Sequence, residues 1–161
     1  MKIHQVVFDK IERLLKKYLG DKLIVYIEKY NGGYVETHLT IKATDIWISC
    51  DNTEFTIGSG FNHKHFNSEF SNFTEISEDL INLLTQRKRI TKYYKGNTCY
   101  KKRTEIETKE TKYKELMTSL TWFFPFWKPT KEKVFYEDKL IDNADIIIEI
   151  NEIKNYVLHS E

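Results

Sequence analysis

Two histidines, separated by one residue, come nearest in this chain to a chemical site. His63 and His65 follow a glycine-punctuated strand, and on an extended chain their side chains point the same way. They could bind a divalent metal if His38, Asp51 or Glu54 supplied a third ligand. The alternative is structural, with both imidazoles tying down the junction between this strand and the next helix. We predict the structural role, and neither a metal nor another cofactor.

The sequence contains no Ser or Cys in a recognisable catalytic-nucleophile motif. Ser59 stands between Gly58 and Gly60, but it lacks the flanking pattern of a nucleophile elbow. No helix follows these glycines directly, as it would in a phosphate-binding loop. Cys50 falls in a strand that we expect to be buried, where a thiol acts as a small apolar side chain. We therefore predict a protein that is not an enzyme and has no catalytic residues.

The segment 87–103 has the strongest local charge, with eight Lys or Arg residues, interleaved tyrosines and no acidic residue. Its simplest interpretation is a solvated hairpin face. A second is a docking surface for an acidic protein partner, and a third is a site for single-stranded nucleic acid, which uses basic and aromatic side chains together. Because the net charge is only +1, we rank the three in that order. For a protein partner, the predicted contacts are Lys92, Tyr94, Lys101 and Arg103.

A dense aromatic run follows further along the chain. It comprises Trp122, Phe123, Phe124, Phe126 and Trp127. One face of a strand cannot bury all of these rings, so alternate members would form an exposed apolar patch unless both faces are covered. Tryptophan is among the commonest side chains at the energetic centre of protein interfaces. We predict that Trp122 and Trp127 anchor a partner.

Composition predicts the class of protein. A chain of 161 residues with 40% hydrophobic and 30% charged residues is long enough for one domain with a core. The net charge of +1 provides no global field toward nucleic acid or an anionic membrane, and we expect no membrane association. Asp9 and Glu12 interrupt the N-terminal apolar stretch, so it is not typical of a secretory signal. We predict a cytoplasmic protein in which Cys50 and Cys99 stay reduced.

Hydrophobic periodicity predicts an α+β fold: a largely antiparallel sheet of a meander plus hairpins, with two main helices packed on one face. The whole chain, 1–161, is predicted to form a single domain. The predicted helices span residues 6–19 and 74–88. The predicted strands span residues 22–30, 35–41, 46–50, 55–61, 90–94, 99–107, 119–126 and 133–136.

Two segments remain open between alternatives. Residues 109–116 are charged and fit a loop or a short helix. Residues 142–157 fit both a strand and a helix. Their isoleucines alternate as in a strand, but Ile146, Ile150, Ile153 and Val157 also have helical spacing.

The stretch Gly60-Phe61-Asn62-His63-Lys64-His65-Phe66 resembles a motif of bacterial immunity proteins that neutralise polymorphic toxins. Members carry a strand ending in glycine, two spacer residues and His-x-His-Phe, usually followed by an acid, where this chain has Asn67. In the family a helix and a short hairpin with a glycine turn come next, and residues 74–88 and 90–100 are similar. The resemblance covers roughly residues 45–105 and, more weakly, residues 133–139.

The resemblance implies a cytoplasmic protein that binds and blocks a cognate toxin and has no catalytic activity. We therefore predict a protein-binding module that occludes a toxin active site, with tryptophan anchors and a charged rim from segment 87–103. One alternative is a metal-binding protein or metal-dependent enzyme centred on His63 and His65. A second alternative is a single-stranded nucleic-acid binder that uses the 87–103 hairpin.

Overall fold

The structure, a computed structural model, describes residues 2–67, 73–108, 112–142 and 144–159. Three α-helices and two antiparallel sheets lie in these ranges, which confirms the α+β class, although the predicted single sheet is divided into two. The chain groups into two compact units, Met1–Ile81 with Ile141–Glu161 and Asn82–Leu140. The single domain over residues 1–161 stays a prediction. None of the described helices is long and apolar enough to cross a membrane.

The first unit contains a five-stranded sheet whose strands follow one another in chain order. Its strands are β1 (Leu23–Lys29), β2 (Val35–Ile41), β3 (Ile46–Cys50), β4 (Phe55–Ser59) and β5 (Asn62–Phe66). The meander is confirmed, but the predicted strand 55–61 is too long and β5 was not predicted. Gly60 has φ +63°, which glycine adopts without strain, and the chain reverses there. The segment that contains the histidines is thus a paired strand.

Helix α1 (Ile3–Leu19) confirms the first predicted helix and begins three residues earlier than predicted. Its apolar stripe is buried, with Ile11 and Leu15 fully inaccessible. Of the two alternatives for residues 142–157, the structure shows the helix, α3 (Asp145–Leu158). Its residues at helical spacing are the buried ones, and their packing outweighs the local strand preference of isoleucine. Glu149 of α3 accepts a hydrogen bond from Lys17 Nζ of α1 at 2.8 Å, which joins the two helices.

Helix α2 spans Phe73–Thr85, so its predicted end at residue 88 is wrong. Lys88 is the first residue of the next strand, and its Nζ donates to the Leu83 carbonyl at 3.0 Å. Residues 86–88, which were predicted to be helical, therefore lie outside the helix. Lys88 instead satisfies one of the free carbonyls at the helix end.

The core of the first unit lies against one face of the five-stranded sheet. Leu39, Ile48 and Ile57 stand opposite one another across β2, β3 and β4, and none is more than 1% exposed. Phe55, on the same face, packs edge-on against Phe8 of α1 at 6.4 Å between ring centroids. Successive residues of a strand alternate between faces, so the histidines and Trp47 lie on the opposite face.

The second unit is a four-stranded sheet in the order β8-β7-β6-β9. Its strands are β6 (Lys88–Lys95), β7 (Thr98–Glu107), β8 (Tyr113–Leu120) and β9 (Thr130–Glu137). The β6–β7 hairpin and the strand at 133–136 are confirmed. Of the ambiguous residues 109–116, residues 113–116 belong to β8, and 109–111 lie outside the described residues.

The predicted strand 119–126 is wrong, because β8 ends at Leu120 and residues 121–129 form a loop. We call this segment the aromatic loop. Pro125 and Pro129 lack the N–H that a sheet ladder needs, so they oppose continued pairing.

Candidate partner-binding site

Four large rings of the aromatic loop stand in solvent. The exposed fractions of Trp122, Phe123, Phe126 and Trp127 are 86%, 92%, 73% and 72%. Phe126 and Trp127 meet edge-to-face at 5.1 Å between centroids, so these two side chains form one surface. Contiguous exposed apolar surface of this kind marks an interaction site. The structure therefore places both predicted anchors, Trp122 and Trp127, where a partner could reach them.

The aromatic loop is attached to the β6–β7 hairpin at both ends. At its start, Thr121 N donates to the Tyr100 carbonyl at 2.8 Å, and the Phe124 ring packs on the Tyr100 ring at 4.5 Å. At its end, the Lys128 side chain lies over Gly96 so closely that a Cβ there would be 2.8 Å from Lys128 Cδ. Gly96 also has φ +60°, so glycine meets both the turn and the close approach. These contacts orient the exposed rings.

The four predicted contacts of the basic segment do not share one surface. Lys92 pairs with Lys102 and Lys133, whereas Lys101 pairs with Tyr93. Lys92 and Tyr94 therefore point to one face of the sheet, and Lys101 and Arg103 point to the other. The prediction of one charged rim is corrected to two separate faces.

The face with Lys101 and Arg103 is largely neutralised. Arg103 Nε lies 3.3 Å from Glu115 Oε2, and Lys101 Nζ lies over the Tyr93 ring at 5.1 Å. On the same face, Arg89 donates two hydrogen bonds to Glu105 at 2.8 and 2.9 Å. This bidentate pair is the main reason that the pKa of Glu105 is lowered. These contacts fit the solvated-face interpretation for this side of the hairpin.

The face with Lys92 and Tyr94 is the more basic one. Lys92 Nζ lies over Phe135 at 5.4 Å, and Lys133 Nζ lies over Tyr94 at 5.3 Å. Within the described ranges, neither lysine takes part in an ion pair with an acidic side chain. Strand β9 thus adds Lys133 and Phe135 to this face, and neither residue was among the predicted contacts. Lys131 and Lys133 are separated by one residue, so their side chains lie on the same face of β9. Only the β6–β9 register shows that Tyr94 and Lys92 are their neighbours on β6.

The prediction that His63 and His65 tie down the junction with α2 is wrong. His65 Nδ1 lies 2.7 Å from Glu54 Oε1, and His63 Nδ1 lies 3.2 Å from the Phe61 carbonyl oxygen. Both side chains are exposed. Lys64, between them, points to the opposite face, as the alternation of a strand requires. The contacts with α2 are instead made from that face, by Lys64 and by Phe66, whose ring packs on Phe73 at 5.1 Å between centroids.

Lys64 joins β5 to α2 by ion pairs. Its Nζ lies 2.8 Å from Asp79 Oδ2 and 3.6 Å from Glu75 Oε2. The hydrogen bond to Asp79 is the main cause that raises the pKa of Lys64.

Three histidines share the face of the first sheet opposite the core, but they do not converge. Tyr26, His38, Ser49, Thr56 and His65 stand in one row across the five strands. His38 and His65 are three strands apart, about 14 Å at the usual strand spacing. Among the described residues, no three His, Cys, Asp or Glu side chains are grouped to hold a metal ion.

The turn before β4 is organised by Asp51. Its carboxylate accepts hydrogen bonds from Tyr34 Oη at 2.6 Å, Thr53 N at 2.6 Å and Glu54 N at 2.8 Å. Partial burial raises the pKa of Asp51, but these hydrogen bonds outweigh it and lower that pKa to about 2. Burial raises the pKa of the neighbouring Cys50 thiol to about 12. Asp51 thus has a structural role, and Cys50 is a poor nucleophile.

No family model matches the chain, and no curated protein or solved structure matches it either. The resemblance of residues 60–66 to immunity proteins therefore stays a prediction.

Proposed function

We propose that this protein is a non-catalytic binding module that neutralises a cognate bacterial protein toxin by occluding its active site. The observation that carries the proposal is the aromatic loop, where Trp122, Phe123, Phe126 and Trp127 are exposed on a segment fixed at both ends. The His-x-His-Phe stretch supports the same class of protein by resemblance.

The exposed rings are large enough to supply most of an interface. Each Phe or Trp side chain buries about 150–250 Å² when it is covered, so four rings supply about 600–1,000 Å². A standard protein interface buries about 800 Å² on each partner. A loop already ordered by Thr121, Phe124 and Lys128 also loses less conformational entropy on binding than a free loop does. These properties favour a protein partner over a small ligand.

Charge indicates what kind of protein surface would fit. Lys92 and Lys133 share one face of the sheet that carries the loop, and the loop itself contributes Lys128. An acidic rim around a toxin cleft would complement these cations and accelerate encounter. The aromatic rings would then supply the slow dissociation that maintains inhibition.

The test uses the protein encoded beside this one, a secreted multidomain toxin if the proposal holds. Binding is measured by calorimetry, and toxin activity is measured with and without the protein. We expect Trp122→Ala to weaken binding by about 30-fold or more, the loss of about 2 kcal/mol typical of an interface hot spot. Phe61→Ala is the matched control, because Phe61 is 89% exposed but lies outside the loop.

Two results would contradict the proposal. One is a neighbouring toxin that the wild-type protein neither binds nor inhibits. The other is equal loss of affinity in the Trp122→Ala and Phe61→Ala variants. Thermal unfolding of both variants excludes a folding defect as the cause.

A further inference from the structure

Strand β1 is an edge strand with an apolar centre exposed to solvent. Its residues Ile24, Val25, Tyr26 and Ile27 are 38–58% exposed. The other edge strands carry charges within their length, namely Lys64 in β5, Lys114 and Glu115 in β8, and Lys131, Glu132 and Lys133 in β9. Such charges discourage pairing with another strand. The centre of β1 lacks this protection.

The backbone of β1 has one side available for a further strand. Tyr30 N donates to the Tyr34 carbonyl and Lys42 N donates to the Lys22 carbonyl, both at 2.9 Å. These bonds place the hydrogen-bonded pairs with β2 at the even-numbered positions of β1. The N–H and C=O groups of the odd-numbered residues, which include Val25, therefore point away from β2, which is the one neighbour of β1 among the described strands.

We propose that two copies of this chain pair antiparallel along β1, about a twofold axis at Val25, and join their sheets into one. Residues whose N–H and C=O groups point away from β2 must pair with residues of the same kind in the second copy. The possible registers of the two strands therefore differ by shifts of two residues. With Val25 opposite its own copy, Leu23 faces Ile27 of the second copy, and Ile24 faces Tyr26. Apolar side chains then meet apolar side chains along the whole centre of the strand.

The charges at the strand ends select this register. It places Lys22 opposite Glu28 of the second copy and, by symmetry, Glu28 opposite Lys22. It also brings Asp21 toward Lys29 of the second copy. The pair of Lys22 and Glu28 occupies a non-hydrogen-bonded position, where side chains approach most closely. A shift of two residues, with Tyr26 on the axis, would place Glu28 opposite Ile24 and lose this complementarity.

A groove of about 370 Å³ lies beside β1, between α1 and the β1–β2 hairpin. Val25, Ile27 and Val35 form an apolar strip along its hairpin side, whereas α1 contributes the acidic Asp9 and Glu12. Residues opposite each other in an antiparallel pair lie on the same face. The Leu23, Val25 and Ile27 side chains of the second copy would therefore extend this apolar strip across the axis. The contact is small, so we expect a weak dimer that dissociates on dilution.

Sedimentation velocity over a concentration series tests the proposal, with the full chain and two charge variants. We expect the wild type to change from monomer to dimer as its concentration rises. Lys22→Glu and Glu28→Lys each create two like-charge pairs across the axis, so each should raise the dimer dissociation constant about tenfold or more. Circular dichroism confirms that each variant remains folded.

An equimolar mixture of the two single variants provides the decisive comparison. In the mixed dimer each of the two pairs again joins a cation to an anion. Its dissociation constant should therefore return to that of the wild type. The double variant Lys22→Glu/Glu28→Lys should also recover dimerisation. A wild type that stays monomeric up to about 1 mM would overturn the proposal, as would single variants that dimerise normally or a mixture that recovers nothing.

This inference does not depend on the proposed function. The Trp122→Ala variant should lose toxin binding and keep dimerisation. The Lys22→Glu variant should show the reverse, so the two experiments fail separately.

Discussion

Gly58 in β4 lies directly under the ring of Trp47, and we predict that a single methyl group there destabilises the protein. In Gly58→Ala, the added Cβ would lie 2.3 Å from Trp47 Cε2 and 2.5 Å from Cζ2. Ordinary contacts at such a position are 3.4–4 Å. The indole must therefore move by about 1 Å or more, since a bulky side chain in a packed strand cannot be compressed. The φ of Gly58 is not in the left-handed region, so alanine fits the backbone itself.

Two effects of Gly58→Ala lower the free energy of unfolding, and one raises it. Overpacking of a well-packed site costs about 1–3 kcal/mol. Movement of the indole also breaks the hydrogen bond from Trp47 Nε1 to the Gly60 carbonyl at 2.9 Å, which contributes about 0.5–1.5 kcal/mol. Alanine recovers about 0.5–1 kcal/mol by restricting the unfolded chain. We expect a net loss of about 0.5–4 kcal/mol in the free energy of unfolding.

Urea denaturation of four proteins measures this loss: the wild type, Gly58→Ala, Trp47→Leu and the double variant. If the indole causes the cost, Gly58→Ala should destabilise the wild type and have little effect on Trp47→Leu, because leucine leaves room for the methyl group. A coupling energy of about 1 kcal/mol or more between the two positions would support this explanation. Equal destabilisation in both backgrounds, or none in the wild type, would refute it.

Three further predictions concern single side chains. Folding lowers the pKa of Asp51 from 3.8 to about 2, so its stabilising effect is present above pH 3.8 and lost as pH falls through about 2. Asp51→Asn should lower stability at pH 7 and remove this acid dependence in urea titrations, and an unchanged profile would contradict it. In the native protein a thiol reagent should react with the exposed Cys99 and should reach the buried Cys50 only after unfolding. Rapid reaction of both cysteines in the native state would contradict the burial of Cys50. Lys64→Ala should lower the free energy of unfolding by about 1 kcal/mol, because it leaves the buried Asp79 carboxylate without its cation. Calorimetry should show a smaller loss for alanine at either neighbouring histidine.

Local patterns were sufficient to predict most elements of the first unit. Helix α1 and strands β1 to β4 have strict periodicity, and turns or end signals bound them. Strand β5 was missed because four of its five residues are charged or polar, so its sequence lacks the pattern of a strand. Only pairing with β4 makes residues 62–66 a strand, and pairing is not a local property.

The candidate site was predictable in composition but not in arrangement. The aromatic run was recognisable, but aromatic residues favour strands, so the sequence suggested continued pairing where the chain leaves the sheet. The faces of Lys92 and Lys101 depend on the hairpin register, in which β6 and β7 have an irregularity between Tyr93 and Tyr94. A shift of one residue reverses the face of every side chain beyond it, so spacing alone could not place these lysines.

The attachment of the aromatic loop has a consequence for how its specificity can change. Phe124, Thr121 and Lys128 hold the loop on the hairpin, while Trp122 and Trp127 stand free of those contacts. Substitution of an exposed ring therefore leaves the supports intact and changes the folding free energy little. On the proposed function, recognition and stability would reside in different side chains of one nine-residue segment. A binding module of this kind would accumulate changes in what it recognises without first losing its fold.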